Sequence, residues 1–211
     1  MRPPQHLAPG PIVQKVRGLR WAARNLAMDL RYGGSLAGTE PASSAGTAPV
    51  TNSQYSVLPH IFAGRIGSSD VLVDVGCGKG RVINWWLSRG LRNRIVGIEH
   101  NPEVAKATAA RLRRHPNVTV VHEDATRWMP ADATLGYMYS PFDAAVMGRF
   151  KEHVARRFAG RGFRLLYWNP QFVAVFVGDP RFETQVFELP PGTDSRLQGT
   201  HRRYASIALR A

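Results

Sequence analysis

The sequence predicts an α/β protein: a doubly wound, mostly parallel seven-stranded sheet with an antiparallel C-terminal hairpin and an N-terminal helical extension. Three observations carry that prediction. From Asp70 onward, short β-branched runs alternate with stretches of helical periodicity, which calls for right-handed crossovers and a sheet covered on both faces. The first run opens directly into a glycine-rich turn, "VDVGCGKGRV" at 73–82. The last two runs are separated only by the turn-rich "PPGTDSRLQGTH", so they close one sheet edge as an antiparallel pair.

Taken in order, Val71–Val75 reads as a buried strand, Arg81–Arg89 as a helix and Arg94–Ile98 as a strand. Pro102–Arg114 is a helix with Asn101 as its N-cap and Pro102 at the favoured first position. Val118–Val121 is a strand, with a short helical segment near Thr126. Leu135–Tyr139 (strand), Asp143–Phe158 (helix) and Phe163–Trp168 (strand) follow. Phe172–Val177 suits strand or helix by composition, and helix completes the alternation. Phe182–Leu189 and Arg203–Leu209 are the closing strands.

The region upstream divides the chain into an extension, 1–53, and a domain, 54–211. Residues 1–11 hold four prolines and read as loose. From Ile12, the residues Ile12, Val16, Leu19, Ala23, Leu26 and Leu30 recur at helical steps, with Arg17, Arg20, Arg24 and Arg31 on an adjacent stripe. Such a basic amphipathic helix could lie on a membrane surface or on nucleic acid, or pack on its own domain with its arginines in solvent. Residues 33–53, "GGSLAGTEPASSAGTAPVTNS", have the composition of a flexible connector or mobile lid.

Lys and Arg total 28 against 15 Asp and Glu, a formal charge of +13, which favours association with anionic partners. The single cysteine, Cys77, excludes an intramolecular disulfide and a Cys-based zinc site. The seven histidines show no metal-ligand spacing, so no metal is expected. No apolar run reaches the ~18 residues of a spanning helix, and no signal-peptide core is seen, which makes the cytoplasm the expected compartment.

The glycine turn holds the chemistry. Gly76, Gly78 and Gly80 do not spell the dinucleotide pattern, because the third glycine comes one residue early. Around them stand three acids: Asp74 inside the first strand, Glu99 at the end of the second, and Asp124 after the third. Ligands of open α/β sheets lie at the carboxyl ends of the strands, so these carboxylates converge on one rim. A pyrophosphate would be repelled there. A cationic ligand carrying an adenosine and an amino acid suits each group.

Over roughly residues 70–210 this arrangement resembles the class I S-adenosylmethionine-dependent methyltransferases, a Rossmann-like superfamily. "VDVGCGKG", the post-strand Glu99 and the "EDA" after the third strand carry the resemblance. It implies S-adenosylmethionine as cofactor, with Asp74 and the Gly76–Gly80 loop (Cys77 included) at its methionine end. Glu99 would hold the ribose, with Asp124 and Ala125 bordering the adenine; His100 and Tyr139 fall on the same cofactor side. The fourth strand ends in "YMYSPF", where several branches carry an Asn-Pro-Phe-like motif beside the transferred methyl. Ser140, Pro141 and Phe142 are thus implied acceptor-side residues, although Ser replaces the common Asn or Asp, which weakens an N-methylation reading. The other reading of Pro141 is that it only starts the next helix, at Asp143.

In related enzymes the segment before the first strand folds over the cofactor, which makes Asn52, Gln54 and Tyr55 candidates, Tyr55 towards the substrate. The other reading of Tyr55, Leu58, Ile61 and Phe62 is a helix packed on the sheet. His100, Tyr139 and His60 have chemistry suited to a general base, and none is singled out. Three functions follow: methyl transfer to an O or N atom of a small molecule; methyl transfer to RNA or protein lysine docked by the basic helix; and a non-catalytic nucleic-acid-binding module. The intact glycine loop and its acids argue against the last.

Overall fold

The computed structural model describes residues 11–42, 44–194 and 196–210. Of residues 1–11, read as loose, 1–10 lie outside them, and Pro11 is helical. The chain runs α1 (Pro11–Arg31), α2 (Leu58–Phe62), β1 (Leu72–Val75), α3 (Arg81–Ser88), β2 (Ile95–Glu99), α4 (Pro102–Leu112), β3 (Val118–His122) and β4 (Leu135–Tyr139). It continues through α5 (Ala144–Arg157), β5 (Phe163–Trp168), β6 (Phe182–Glu188) and β7 (Arg203–Leu209). The seven strands form one sheet in the order β3-β2-β1-β4-β5-β7-β6. β1 to β5 pair in parallel, while β7 runs antiparallel to both β5 and β6.

The strands form where buried apolar runs allow them to. β1 and β2 are buried at every position, as a strand covered on both faces requires. α2, α3 and α4 cover one face, with Leu58, Ile83, Trp86 and Leu112 against Leu72, Ile95 and Leu135. α5 covers the other, setting Met147, Phe150 and Phe158 on Val73, Val96 and Met138. The capping is local chemistry: the Asn101 side chain accepts the N–H groups of Glu103 (3.0 Å) and Val104 (3.2 Å), and Asp143 accepts that of Val146 at 2.8 Å.

Two short elements differ from expectation. The helix expected at Phe172–Val177 is a 3₁₀ turn, Val173–Val175. Pro170 before it and Gly178 at φ 83° after it leave room for a single tight turn. The segment near Thr126 is likewise a turn, shaped by the Asp124 side chain, which accepts both the N–H and the hydroxyl of Thr126 at 2.8 Å.

α1 is a helix packed on the domain, but through the face that the apolar spacing does not mark. Asn25, Asp29 and Tyr32 are buried, and Leu19, Leu26 and Leu30 are 65%, 45% and 57% exposed. Polar contacts select the orientation. Asp29 holds the Arg81 guanidinium through two bonds, 2.6 Å and 3.2 Å, and accepts the Tyr55 hydroxyl at 2.8 Å. The Arg196 guanidinium lies 3.5 Å above the Trp21 ring. Among the described residues, no helix is long and apolar enough to cross a membrane.

Candidate functional site

Strand order reverses between β1 and β4, and a crevice opens at their carboxyl ends, as the topology requires. Three adjoining cavities, of about 70, 340 and 70 Å³, lie there. The segment read as a connector roofs them: Thr47 lines all three. This roof is bonded to the loop after β4, with Ala48 N–H donating to Pro141 O and Asp143 N–H to Gly46 O, both at 2.9 Å. Its flank is held by a bridge between Glu40 and Val50 and by the Lys79–Glu40 ion pair at 2.9 Å.

The first cavity is lined by Asp74, Gly76, Cys77, Glu99, His100 and Tyr139, together with Asn52 and Arg81. Asp74 is buried, and among the described residues its Oδ2 has no partner. Burial, and then the neighbouring Glu99 carboxylate, push the Asp74 carboxyl well above its usual range. Glu99 is held by backbone: its Oε2 accepts the Gly78 N–H and its Oε1 the Asn101 N–H, both at 2.8 Å. Each oxygen keeps a lone pair for a further donor. Burial, with Asp74 and Glu99, raises the Cys77 thiol, which is therefore a neutral wall group.

His100, Asp124, Ala125 and Phe142 border one 70 Å³ cavity, reached past Gly76. Tyr139, Ser140 and Phe142 border the 340 Å³ cavity, together with Asn169, Gln171 and Phe172 from the end of β5. Pro141 lines the first cavity. Ser140 and Asn169 both have positive φ, 42° and 53°, unusual away from glycine and concentrated at the cavity floor. The Tyr139 hydroxyl lies 3.2 Å from His201 Nε2, and its ring stacks on Trp168 at 4.1 Å between centroids. Trp168 Nε1–H donates to His201 O at 3.0 Å and fixes that histidine's backbone.

Five residues named from the sequence, Gln54, Tyr55, His60, Gly78 and Gly80, stand outside the walls of these cavities. Gly78 faces the roof, and a Cβ there would come within 2.8 Å of Val50. Gly80, at φ 74°, starts α3 against Thr108 and Arg111 of α4. Tyr55 is buried between Asp29 and Asn84. His60 lies on α2, away from the three cavities. Sequence reasoning missed Asn169, Gln171, Phe172 and His201. One signal was available: "NPQF" follows β5 as "SPF" follows β4, at the carboxyl ends of neighbouring parallel strands.

Residues 72–166 match a family model described as a methyltransferase domain. This match and the fold are consistent with the class I S-adenosylmethionine-dependent methyltransferases that the sequence resembles. This methyltransferase is similar in fold to the glycopeptide N-methyltransferase MtfA complexed with S-adenosylhomocysteine: TM-score 0.58, 13% identity, 76% of this chain and 91% of that one. It is also similar to the geranyl diphosphate C-methyltransferase of Streptomyces coelicolor A3(2): TM-score 0.52, 16% identity, 88% and 97% covered. An rRNA methylase of Streptococcus thermophilus matches at TM-score 0.50, 13% identity, with 72% and 92% covered. No curated protein sequence matches. At these identities the structural likeness establishes the fold, and the three differ in what their names say they methylate.

The methyltransferase's own residues fit the cofactor. The unpartnered Asp74 Oδ2 offers an acceptor to an ammonium group, and Gly76 leaves bare the wall that a side chain would fill. Gly76 has φ 73°, and a Cβ there would stand 3.1 Å from Pro141. Gly76→Val is therefore expected to weaken S-adenosylmethionine binding by at least about tenfold, equivalent to about 1.4 kcal/mol. Calorimetric titration checks this, and unchanged affinity would place the cofactor elsewhere.

Proposed function

We propose that this methyltransferase transfers the methyl group of S-adenosylmethionine to an O or N atom of a small molecule. The observation that carries the reading is the 340 Å³ cavity beside the cofactor cavities, which shares Thr47, Tyr139 and Phe142 with the first of them. That volume falls within the usual ~300–1,000 Å³ of small-molecule sites.

When bound, S-adenosylmethionine supplies a methyl already activated on a sulfonium. In this reading Asp74 takes the ammonium of its methionine end, Glu99 the ribose hydroxyls, and Asp124 with Ala125 the adenine edge. Positioning is then most of the remaining work, and holding two reactants in line can contribute up to about 7–11 kcal/mol. Phe142 and Phe172 give the acceptor apolar walls, while Ser140, Asn169 and Gln171 offer it hydrogen bonds.

An acceptor that arrives with its proton needs a route for it. The Tyr139 hydroxyl, within reach of both cavities, takes that proton as its own passes to His201 Nε2, 3.2 Å away. Burial raises the Tyr139 phenol, so it stays neutral and relays the proton without keeping a charge. The alternative acceptors, RNA or protein lysine, rest on the chain's +13 charge and on the exposed arginines of α1, such as Arg24 and Arg31.

The test is a transfer assay with labelled cofactor against pools of small amines and phenols, RNA, and protein. Label is expected in the small-molecule pool, and Tyr139→Phe is expected to lower turnover about 10²-fold or more with little change in cofactor affinity. Label confined to RNA or protein would replace the small acceptor by a macromolecule.

A further inference from the structure

We propose that α1 docks the protein on an anionic lipid surface through the outward stripe of Leu19, Leu26 and Leu30. These leucines follow one another at seven- and four-residue steps, so they share one side of the helix over about 16 Å. All three are exposed, and Leu19 and Leu30 are more than half so. The side that holds the helix to the domain, with Asn25, Asp29 and Tyr32, is a different one. A helix whose periodic apolar stripe faces away from its own core has left that stripe for something else.

Charge complementarity identifies the occupant. Asp29 is the sole acid in residues 11–31, and it is buried against Arg81, so the outward side of α1 carries no carboxylate. Arg24 and Arg31 are exposed on the same helix. An anionic bilayer satisfies both features: the leucines enter the headgroup boundary while the arginines stay with the lipid charges. A second copy would set a chain of charge +13 against its equal. RNA would pair with the arginines but leave the leucines in water.

The helix is also prepared for such a surface. An isolated amphipathic peptide must fold as it binds, whereas the Asp29–Arg81 pair and the Tyr55 hydroxyl hold α1 on the domain. Docking therefore presents a preformed stripe, and the methyltransferase fold sits against the bilayer through one face of one helix.

Sedimentation of the full chain with vesicles tests the proposal without any methyl acceptor. Binding is expected to vesicles of equal parts phosphatidylcholine and phosphatidylglycerol, about tenfold or more above that to phosphatidylcholine alone. The triple variant Leu19→Ser/Leu26→Ser/Leu30→Ser should bind the anionic vesicles about tenfold or more weakly while keeping its melting temperature and its S-adenosylmethionine affinity. Arg24→Gln/Arg31→Gln should weaken binding and flatten its salt dependence. Protein that stays in the supernatant with anionic vesicles overturns the proposal. So does a triple variant that binds as the parent does, which would reduce the contact to charge. Light scattering that finds a dimer dissolved by the serine variant, or polyuridine binding lost in it, would assign the stripe to a second copy or to RNA.

Discussion

Asp29→Ala is expected to lower the unfolding free energy by about 3–5 kcal/mol, the usual cost of removing one partner of a buried ion pair. Asp29 and Arg81 side chains are 3% and 9% exposed, and their shortest contact is 2.6 Å. The alanine variant would leave the Arg81 guanidinium buried beside Tyr55 with no counter-charge, and would take from the Tyr55 hydroxyl its acceptor. Because Arg81 also lines the first cavity, cofactor binding should weaken too. Urea denaturation followed by circular dichroism measures the change. Replacing both partners together, as Asp29→Leu/Arg81→Met, should recover most of the stability, because the desolvated charge is gone as well. A loss below about 1 kcal/mol in the single variant would mean that the pair is as solvated as a surface bridge.

Asp74→Asn is expected to separate stability from binding. Burial and the Glu99 carboxylate raise the Asp74 carboxyl in the folded chain, so folding tightens its hold on the proton. A carboxyl raised in this way penalises the fold least below its ordinary value near ~4, and the penalty grows as pH climbs towards the folded value. At neutral pH the ligand-free Asn variant should therefore melt higher than the parent, with the gap closing as pH falls through that window. Its affinity for S-adenosylmethionine should fall by about 1–3 kcal/mol, because the ammonium loses a charged acceptor. In the parent, affinity should rise with pH across the same window, since the cationic ligand selects the ionised carboxylate. Thermal melts at several pH values, with and without cofactor, read all three effects. A variant less stable than the parent at neutral pH would show that the carboxylate already has a partner.

Much of the domain was legible because its elements are decided by local pattern. Leu135–Tyr139, Phe163–Trp168 and Arg203–Leu209 have in the structure the limits their composition implies. Asn101 and Asp143 cap the helices they precede, since a short polar side chain satisfies the free N–H groups of the first turn. The acids were legible by position: each stands in or just after a parallel strand, and parallel strands bring their carboxyl ends to one rim.

Other features needed partners far apart in the chain. His201 meets Tyr139 across 62 positions, and only the insertion of β7 between β5 and β6 brings the hairpin to the mouth of the larger cavity. The glycine- and serine-rich segment after α1 has the composition of a linker, yet backbone bonds to the loop after β4 make it a roof.

The amino-acid sequence by itself determined the alternation of strands and helices, the glycine turn, the acidic rim and the two-sided character of α1, because each depends on residues close together or on a period. Which side of α1 turns inward was decided by the tertiary structure alone. Periodicity measures the contrast between the faces of a helix but not the energy of the contacts each would make. Here the ion pair of Asp29 with Arg81, 52 positions away, and the Tyr55 hydroxyl bury the polar face and leave the leucines to the outside.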